Sequence, residues 1–147
     1  MKIFKVRDVK DPNRAHSNDA GFDLFIPNDF IAQVLNPGES VLIPSGIKAR
    51  VPEGYALIAF NKSGVAAKKN LIVGASVIDE SYQGEIHIDI KNIGTMPQIL
   101  TPGDKIIQLL CIKMNYVPIE IAESEEELFA DMQSDRGAGG FGSTGTK

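Results

Sequence analysis

Glu85–Asn92 reads EIHIDIKN. Ile86, Ile88 and Ile90 fall on one side, and Glu85, His87, Asp89 and Lys91 on the other. A period of two with β-branched residues on one face is a half-buried β-strand. Asp89 then stands on the polar face, paired with solvent or with Lys91. The same reading extends in both directions. Upstream, Val77-Ile78 ends a strand, and Asp79 to Tyr82 supplies the turn of a hairpin that returns at Glu85. Ile47, Ala49 and Val51 alternate with Lys48 and Arg50. Pro52-Glu53-Gly54 makes a turn into YALIAF, Tyr55–Phe60. SVLIPSG precedes that pair, and KIFKVRD opens the chain with apolar Ile3, Phe4 and Val6. Downstream, Pro102-Gly103 turns into an apolar strand, KIIQLLCIK, in which Gln108 is a lone amide. A buried amide there needs hydrogen-bond partners. Short strands with frequent turn signals predict an all-β sandwich or barrel.

Two segments read as helical. SGVAAKKN gives about two turns with Ser63 as its cap. SEEELFADM gives a short acidic helix whose charge sits at the favourable N-terminal end. The chain has 147 residues, the size of one domain. Hydrophobic residues make up 43% and charged residues 23%, the balance of a soluble globular protein. The net charge of −4 argues against nucleic acid and anionic membrane as partners. The single cysteine, Cys111, has no internal partner and sits among Leu109, Leu110 and Ile112, so it is expected in the core. No secretion-type cysteine pattern, signal peptide or long apolar run is present, and a cytoplasmic protein is expected. One domain is expected over 1–135 and a flexible glycine-rich lid over 136–147.

That last segment, RGAGGFGSTGTK, contains a formal G-x-G-x-x-G from Gly140 to Gly145. The dinucleotide fingerprint needs a helix after its glycines, and only two residues follow. The P-loop order is reversed at Gly145-Thr146-Lys147. What remains is backbone N–H groups open to an anion, two hydroxyls, a bidentate cation in Arg136 and a flat ring in Phe141.

AGFDL (20–24), NKSGVA (61–66), GASVIDESYQG (74–84), PGDKIIQLL (102–110) and RGAGGFGSTG (136–145) occur in that order. Together they resemble the five motifs of the trimeric dUTP pyrophosphatase (dUTPase) family, over nearly the whole chain. The resemblance implies a jelly-roll-like distorted β-barrel and a homotrimer with shared active sites. It implies Mg²⁺-dependent hydrolysis of dUTP to dUMP and pyrophosphate, which limits uracil in DNA and supplies dUMP.

It also implies a role for particular residues. Asp79 corresponds to the carboxylate that activates water. Backbone atoms around Val73 to Tyr82, Ser76 among them, would hold uracil. Tyr82 would lie under the deoxyribose and exclude a 2′-hydroxyl. Asp23 would hold metal-bound waters in the outer shell of Mg²⁺. Lys62, Ser63, Gly64 and Gln108 would meet phosphate. Arg136, Ser143 and Thr144 would meet the γ-phosphate, and Phe141 with Gly142 would cover uracil, so that the tail closes as a lid. The chain departs from the family at Lys62, where Arg is usual, and at Ser76, where Gly is frequent. If the backbone at position 76 needs glycine, the base pocket is altered.

Two rival readings share the scaffold. dCTP deaminases tend to carry Asp-Pro-Gly-aromatic in the third motif and a catalytic Glu in the next strand. This chain has Asp79-Glu80-Ser81-Tyr82, with Asp89 at about that Glu's position. The other rival is a nucleotide-sensing regulatory module.

Overall fold

The structure is a computed structural model and describes residues 1–140. It divides into two units, Met1–Tyr116 and Val117–Lys147. The expected division at Asp135/Arg136 falls inside the second unit.

The first unit is built from eleven strands and one helix. The strands are β1 (Lys2–Lys5), β2 (Phe22–Phe25), β3 (Gln33–Leu35), β4 (Ser40–Pro44), β5 (Ile47–Arg50) and β6 (Tyr55–Asn61). Helix α1 (Ser63–Lys69) follows, then β7 (Leu71–Val73), β8 (Val77–Ile78), β9 (His87–Asn92), β10 (Gln98–Leu100) and β11 (Lys105–Lys113). One antiparallel sheet has the order β2-β11-β6-β8 and a second β4-β9-β7. Two-stranded ribbons β1-β5 and β3-β10 complete the unit. Neighbouring strands distant in sequence make this a jelly-roll-like β fold.

The buried faces of both main sheets meet in one apolar cluster that includes Leu24, Ile43, Leu57, Ile88, Ile90 and Leu109. Ile86, Ile88 and Ile90 are buried and His87 and Lys91 exposed, as the alternation requires. Each fully buried isoleucine stabilises the fold by about 1.5–3 kcal/mol. Strand β11 breaks the period. Ile106 and Ile107 are both buried because the register with β2 shifts between Lys105 and Ile107. A bulge there lets consecutive side chains turn inward and re-aims the residues beside it. Those neighbours, Lys105 and Gln108, belong to the site described below. Cys111 is half-buried against the cluster rather than fully enclosed.

Helix α1 corrects one expectation. Ser63 is its first helical residue; the N-cap is Lys62, in extended conformation, with no side-chain cap bond. The helix ends at Asn70, whose left-handed backbone (φ 52°) is one that asparagine tolerates. In the second unit, α2 is a single turn, Glu125–Leu128. There the Ser124 hydroxyl accepts from the Glu127 N–H at 3.1 Å, and Glu127 Oε2 accepts from the Glu123 N–H at 2.7 Å. No helix among the described residues is long and apolar enough to cross a membrane.

Candidate active site

Three polar side chains are buried among the described residues of the first unit: Asp23, Ser45 and Asn92. Ser45 and Asn92 are satisfied by backbone groups. Asp23, 5% exposed, is different, because a buried carboxylate needs compensating charge. Its Oδ1 pairs with the Lys62 ammonium and its Oδ2 with Lys105 Nζ at 3.0 Å. The neck of α1 and the bulge of β11 thereby converge on one residue of β2. Two ammonium groups against one carboxylate leave the cluster with a net charge of +1, facing solvent through the partly exposed lysines.

Gln108 stands opposite Asp23 in the β2–β11 register. It is half-buried, and its Nε2 donates to the Asn61 carbonyl at 2.9 Å. Gly21 packs against it so closely that an added Cβ would lie 2.6 Å from Gln108 Oε1. The side chain of Asn61 in turn accepts from the Val73 N–H at 2.7 Å. Ser63 and Gly64 begin α1 next to this cluster.

The second cluster is the hairpin that leaves β8. The Tyr82 N–H donates to the Asp79 carbonyl at 3.1 Å, closing the tip. Glu80 Oε2 accepts from the Gly54 N–H at 2.6 Å and ties the tip to the turn before β6. Tyr82 Oη donates to the Glu85 carbonyl at 2.9 Å. Its ring lies across Gly84, where a Cβ would be 2.3 Å from Oη, so only glycine admits this close approach. Glu85 anchors the base of the hairpin: its Oε1 accepts from the Gly46 N–H at 2.8 Å and from Arg7 Nε at 2.9 Å. Burial pushes the Glu85 carboxyl up, but the bonds from Arg7 and Gly46 and the Arg7 charge outweigh burial and hold it below its ordinary range. Arg7 is raised in return, first by its bond to Glu85 and then by that to Asp29.

Asp79, Tyr82, Ala75, Ser76, Val77 and His87 line one cavity of about 190 Å³, closed by Leu42, Ile78 and Ile86. Its wall therefore joins a carboxylate, an aromatic ring and turn backbone. Ser76 has no left-handed backbone angle, so the residue that stands where glycine is frequent is unstrained there. Its carbonyl accepts from the Ala59 N–H at 2.7 Å.

Comparison with known proteins identifies the family. The family model described as dUTPase matches residues 7–145. The deoxyuridine 5′-triphosphate nucleotidohydrolase of Mus musculus is 36% identical over 135 residues, 91% of this chain and 77% of the relative. That of Chlamydia trachomatis is 39% identical over 137 residues, 91% of this chain and 90% of the relative. The chain belongs to the dUTPase family. Among solved structures, a dUTPase variant of Staphylococcus bacteriophage 80alpha, determined with dUpNHpp, superposes with a TM-score of 0.81 at 24% identity, over 98% of this chain and 97% of that one. A dUTPase variant from phage phi11 of S. aureus, in which a structural Mg(II) ion is coordinated, gives 0.75 at 24% identity, over 85% and 97%. At these identities the structural likeness speaks for the fold.

Against that family, the residues singled out from sequence fall into two groups. Asp79, Ser76 and Tyr82 share the hairpin cavity. Asp23, Lys62 and Gln108 share the cationic cluster, with Ser63 and Gly64 beside it. Val73 lies between, held by Asn61. The groups lie toward opposite ends of β6, because Ile78 pairs with Leu57 whereas Asn61 closes the strand and Lys62 follows it.

In the second unit, Arg136 Nε donates to the Gly139 carbonyl at 2.6 Å. Phe141, Gly142, Ser143 and Thr144 lie outside the described residues. Sequence reasoning passed over Lys105, Asn61 and Glu85. Lys105 carried a usable signal, as a cation directly after the Pro-Gly-Asp turn of the fourth motif.

Asp89 is a correction. Its Oδ2 accepts from the Ala75 N–H at 2.9 Å rather than pairing with Lys91. Each of the Asp23 oxygens holds an ammonium group. No group of three His, Cys, Asp or Glu among the described residues is placed to hold a metal. Asp23 is the carboxylate that would meet a metal through its waters.

Proposed function

We propose that this chain hydrolyses dUTP to dUMP and pyrophosphate. The observation that carries the reading is the pairing of Asp79 with Tyr82 on the wall of one small cavity, in a chain of the dUTPase family. The related enzymes named above as deoxyuridine 5′-triphosphate nucleotidohydrolases support the substrate. Uracil enters the cavity against the backbone of the turn from Val73 to Ile78. The deoxyribose lies on the Tyr82 ring, which its bond to the Glu85 carbonyl holds in place. A 2′-hydroxyl meets that ring, so UTP is rejected.

Asp79 takes a proton from a water that attacks the α-phosphorus in line. The new P–O bond forms as the bond to the bridging oxygen breaks, and pyrophosphate departs with the electron pair. Bound Mg²⁺ would neutralise triphosphate charge, and Asp23 would hold its waters from the outer shell. Lys62, Lys105 and Gln108, with the first turn of α1 at Ser63 and Gly64, receive the phosphates and offset their charge. Lys62 turning to phosphate would leave Asp23 Oδ1 free to act as an acceptor. Arg136, Phe141, Gly142, Ser143 and Thr144 complete the site as a lid over the bound nucleotide.

The two clusters lie too far apart along β6 to serve one nucleotide from within one chain. That separation supports a shared site, and the working unit on this reading is the family's homotrimer, in which each site takes its hairpin from one subunit and its cationic cluster from another. The deaminase reading is disfavoured by Asp89, whose carboxylate is engaged with the Ala75 N–H.

The test offers dUTP, dCTP and UTP with Mg²⁺ to the purified protein and measures pyrophosphate and ammonia. Pyrophosphate from dUTP alone is expected, and Asp79→Asn should keep dUTP binding while abolishing turnover. Ammonia from dCTP, or full turnover by Asp79→Asn, refutes the proposal.

A further inference from the structure

Asp89 lies on β9 opposite Leu42, between the buried Ile88 and Ile90, and faces away from the core. A carboxylate on the polar face of a strand is ordinarily solvated. This one is half-buried beneath the turn that connects β7 to β8. Three bonds fix that turn. The Gly74 N–H donates to the Asp89 carbonyl at 3.0 Å, the Ala75 N–H to Asp89 Oδ2 at 2.9 Å, and the Ala59 N–H to the Ser76 carbonyl at 2.7 Å. Two of the three involve one residue.

Gly74 shows how tightly the carboxylate is placed. A Cβ there would lie 2.3 Å from Asp89 Oδ2 and 2.7 Å from its Cγ. Gly74 is not in the left-handed region, so any residue could adopt its backbone angles. What excludes a side chain is the carboxylate, which fills the space. Ala75 and Ser76 then continue directly into the wall of the Asp79 cavity.

We propose that Asp89 is a positioning residue for nucleotide binding: it clasps the Gly74–Ser76 turn from behind and thereby sets the shape of the cavity wall that meets the base. It does not line the cavity, so it acts through the turn. The Ala75 N–H, turned to Asp89, is withdrawn from the ligand, which leaves fewer ways for a wrong base to be held. The inference rests on the reading of this cavity as the nucleobase site. It concerns how the site is held, not which reaction follows. Because the clasp affects binding more than the attack at phosphorus, its signature is a KM effect with kcat preserved.

The experiment measures dUTP kinetics for the full chain and for Asp89→Ala, Asp89→Asn, Gly74→Ala and the Gly74→Ala/Asp89→Ala pair, with a thermal melt of each. Losing a hydrogen bond to a charged acceptor corresponds to a rise in KM of about tenfold for Asp89→Ala. Its kcat should stay within about twofold. Asp89→Asn retains an oxygen acceptor and should recover most of the loss. Gly74→Ala forces a methyl into the carboxylate and should raise KM at least as much. The double variant, with that space vacated, should bind dUTP better than Gly74→Ala alone.

An unchanged KM in Asp89→Ala, or a double variant no better than Gly74→Ala, overturns the clasp. Should Asp89→Ala fail to fold, Asp89→Ser, whose hydroxyl is too short to reach the Ala75 N–H, carries the same KM prediction and the same refutation. A folded wild-type chain that leaves dUTP intact refutes the nucleotidohydrolase reading, and the clasp with it. An active wild type with an indifferent Asp89 refutes the clasp alone.

Discussion

The shared site admits a quantitative test by mixing two inactive chains. Ile78 pairs with Leu57, so Asp79 stands level with Ala56, six residues before Lys62. At about 3.3 Å per residue the two positions are separated by roughly 20 Å. That exceeds the length of a triphosphate, and a general base must come within hydrogen-bond reach of its water. Asp79→Asn removes the base. Lys62→Met removes a phosphate cation while keeping an aliphatic stem, and Lys105 stays on Asp23 to hold that carboxylate. Losing a charge-assisted contact should lower kcat/KM by about 10–100-fold. In trimers assembled at random from equal amounts of both chains, a given site draws Asp79 from one subunit and Lys62 from another. It is intact only when the first is the Lys62→Met chain and the second the Asp79→Asn chain. Each choice has a chance of one half, so about a quarter of sites should be wild type. The assay is pyrophosphate release after co-refolding of differently tagged chains, compared with each variant alone. Recovery near a quarter of wild-type activity is expected. If each site lay within one chain, every chain would carry one lesion and the mixture would give only the mean of its parents. That result would refute both the distance argument and the trimeric reading.

Two further outcomes follow from the ion pairs. Asp23→Asn leaves two ammonium groups facing each other without their carboxylate. A fully buried pair broken in this way costs about 3–5 kcal/mol. Lys62 and Lys105 are partly solvated, so a loss of about 2 kcal/mol is expected, seen as a melting temperature lower by roughly 4–8 °C; a melt within 1 °C of wild type, about the experimental scatter, would count against the cluster. Glu85 has its carboxyl held below the ordinary range, so its contribution to stability is present above the unfolded value, about 4.3, and is lost as pH falls through the folded value. The difference in melting temperature between wild type and Glu85→Gln should therefore be largest near neutrality and shrink below about pH 4; a difference that grows with acid would reverse the assignment.

What sequence made legible was whatever repeats along the chain. EIHIDIKN declared its buried face because a period of two is local, and Ile86, Ile88 and Ile90 are buried accordingly. The same rule failed at KIIQLL, because a bulge against β2 turns both Ile106 and Ile107 inward, and a bulge depends on the partner strand. KIFK is a strand, yet Phe4 is 68% exposed; a strand paired only in a two-stranded ribbon has no second layer to cover it. Ser63 has the chemistry of a cap but lies one residue too far along, and the step is settled by the backbone of Lys62.

The candidate site divides along the same line. Motif order located Asp79, Tyr82, Asp23 and Gln108, because each is a position in a pattern. It could not supply their partners, which come from elsewhere in the chain. Asp23 meets Lys62 and Lys105 only once β2 lies beside β11 and the neck of α1 folds over both. An acid on a strand face has no identity until the opposite surface arrives. For Asp89 that surface is the Ala75 turn, and for Asp23 it is a pair of lysines. The two acids look alike in sequence and occupy comparable positions on their strands. On the proposed reading, one gathers cations toward the phosphates and the other holds a turn N–H behind the base. The difference lies in what the fold brings against each carboxylate, so substitutions of the partners, Gly74 and Lys62, discriminate between the roles more sharply than substitutions of the acids themselves.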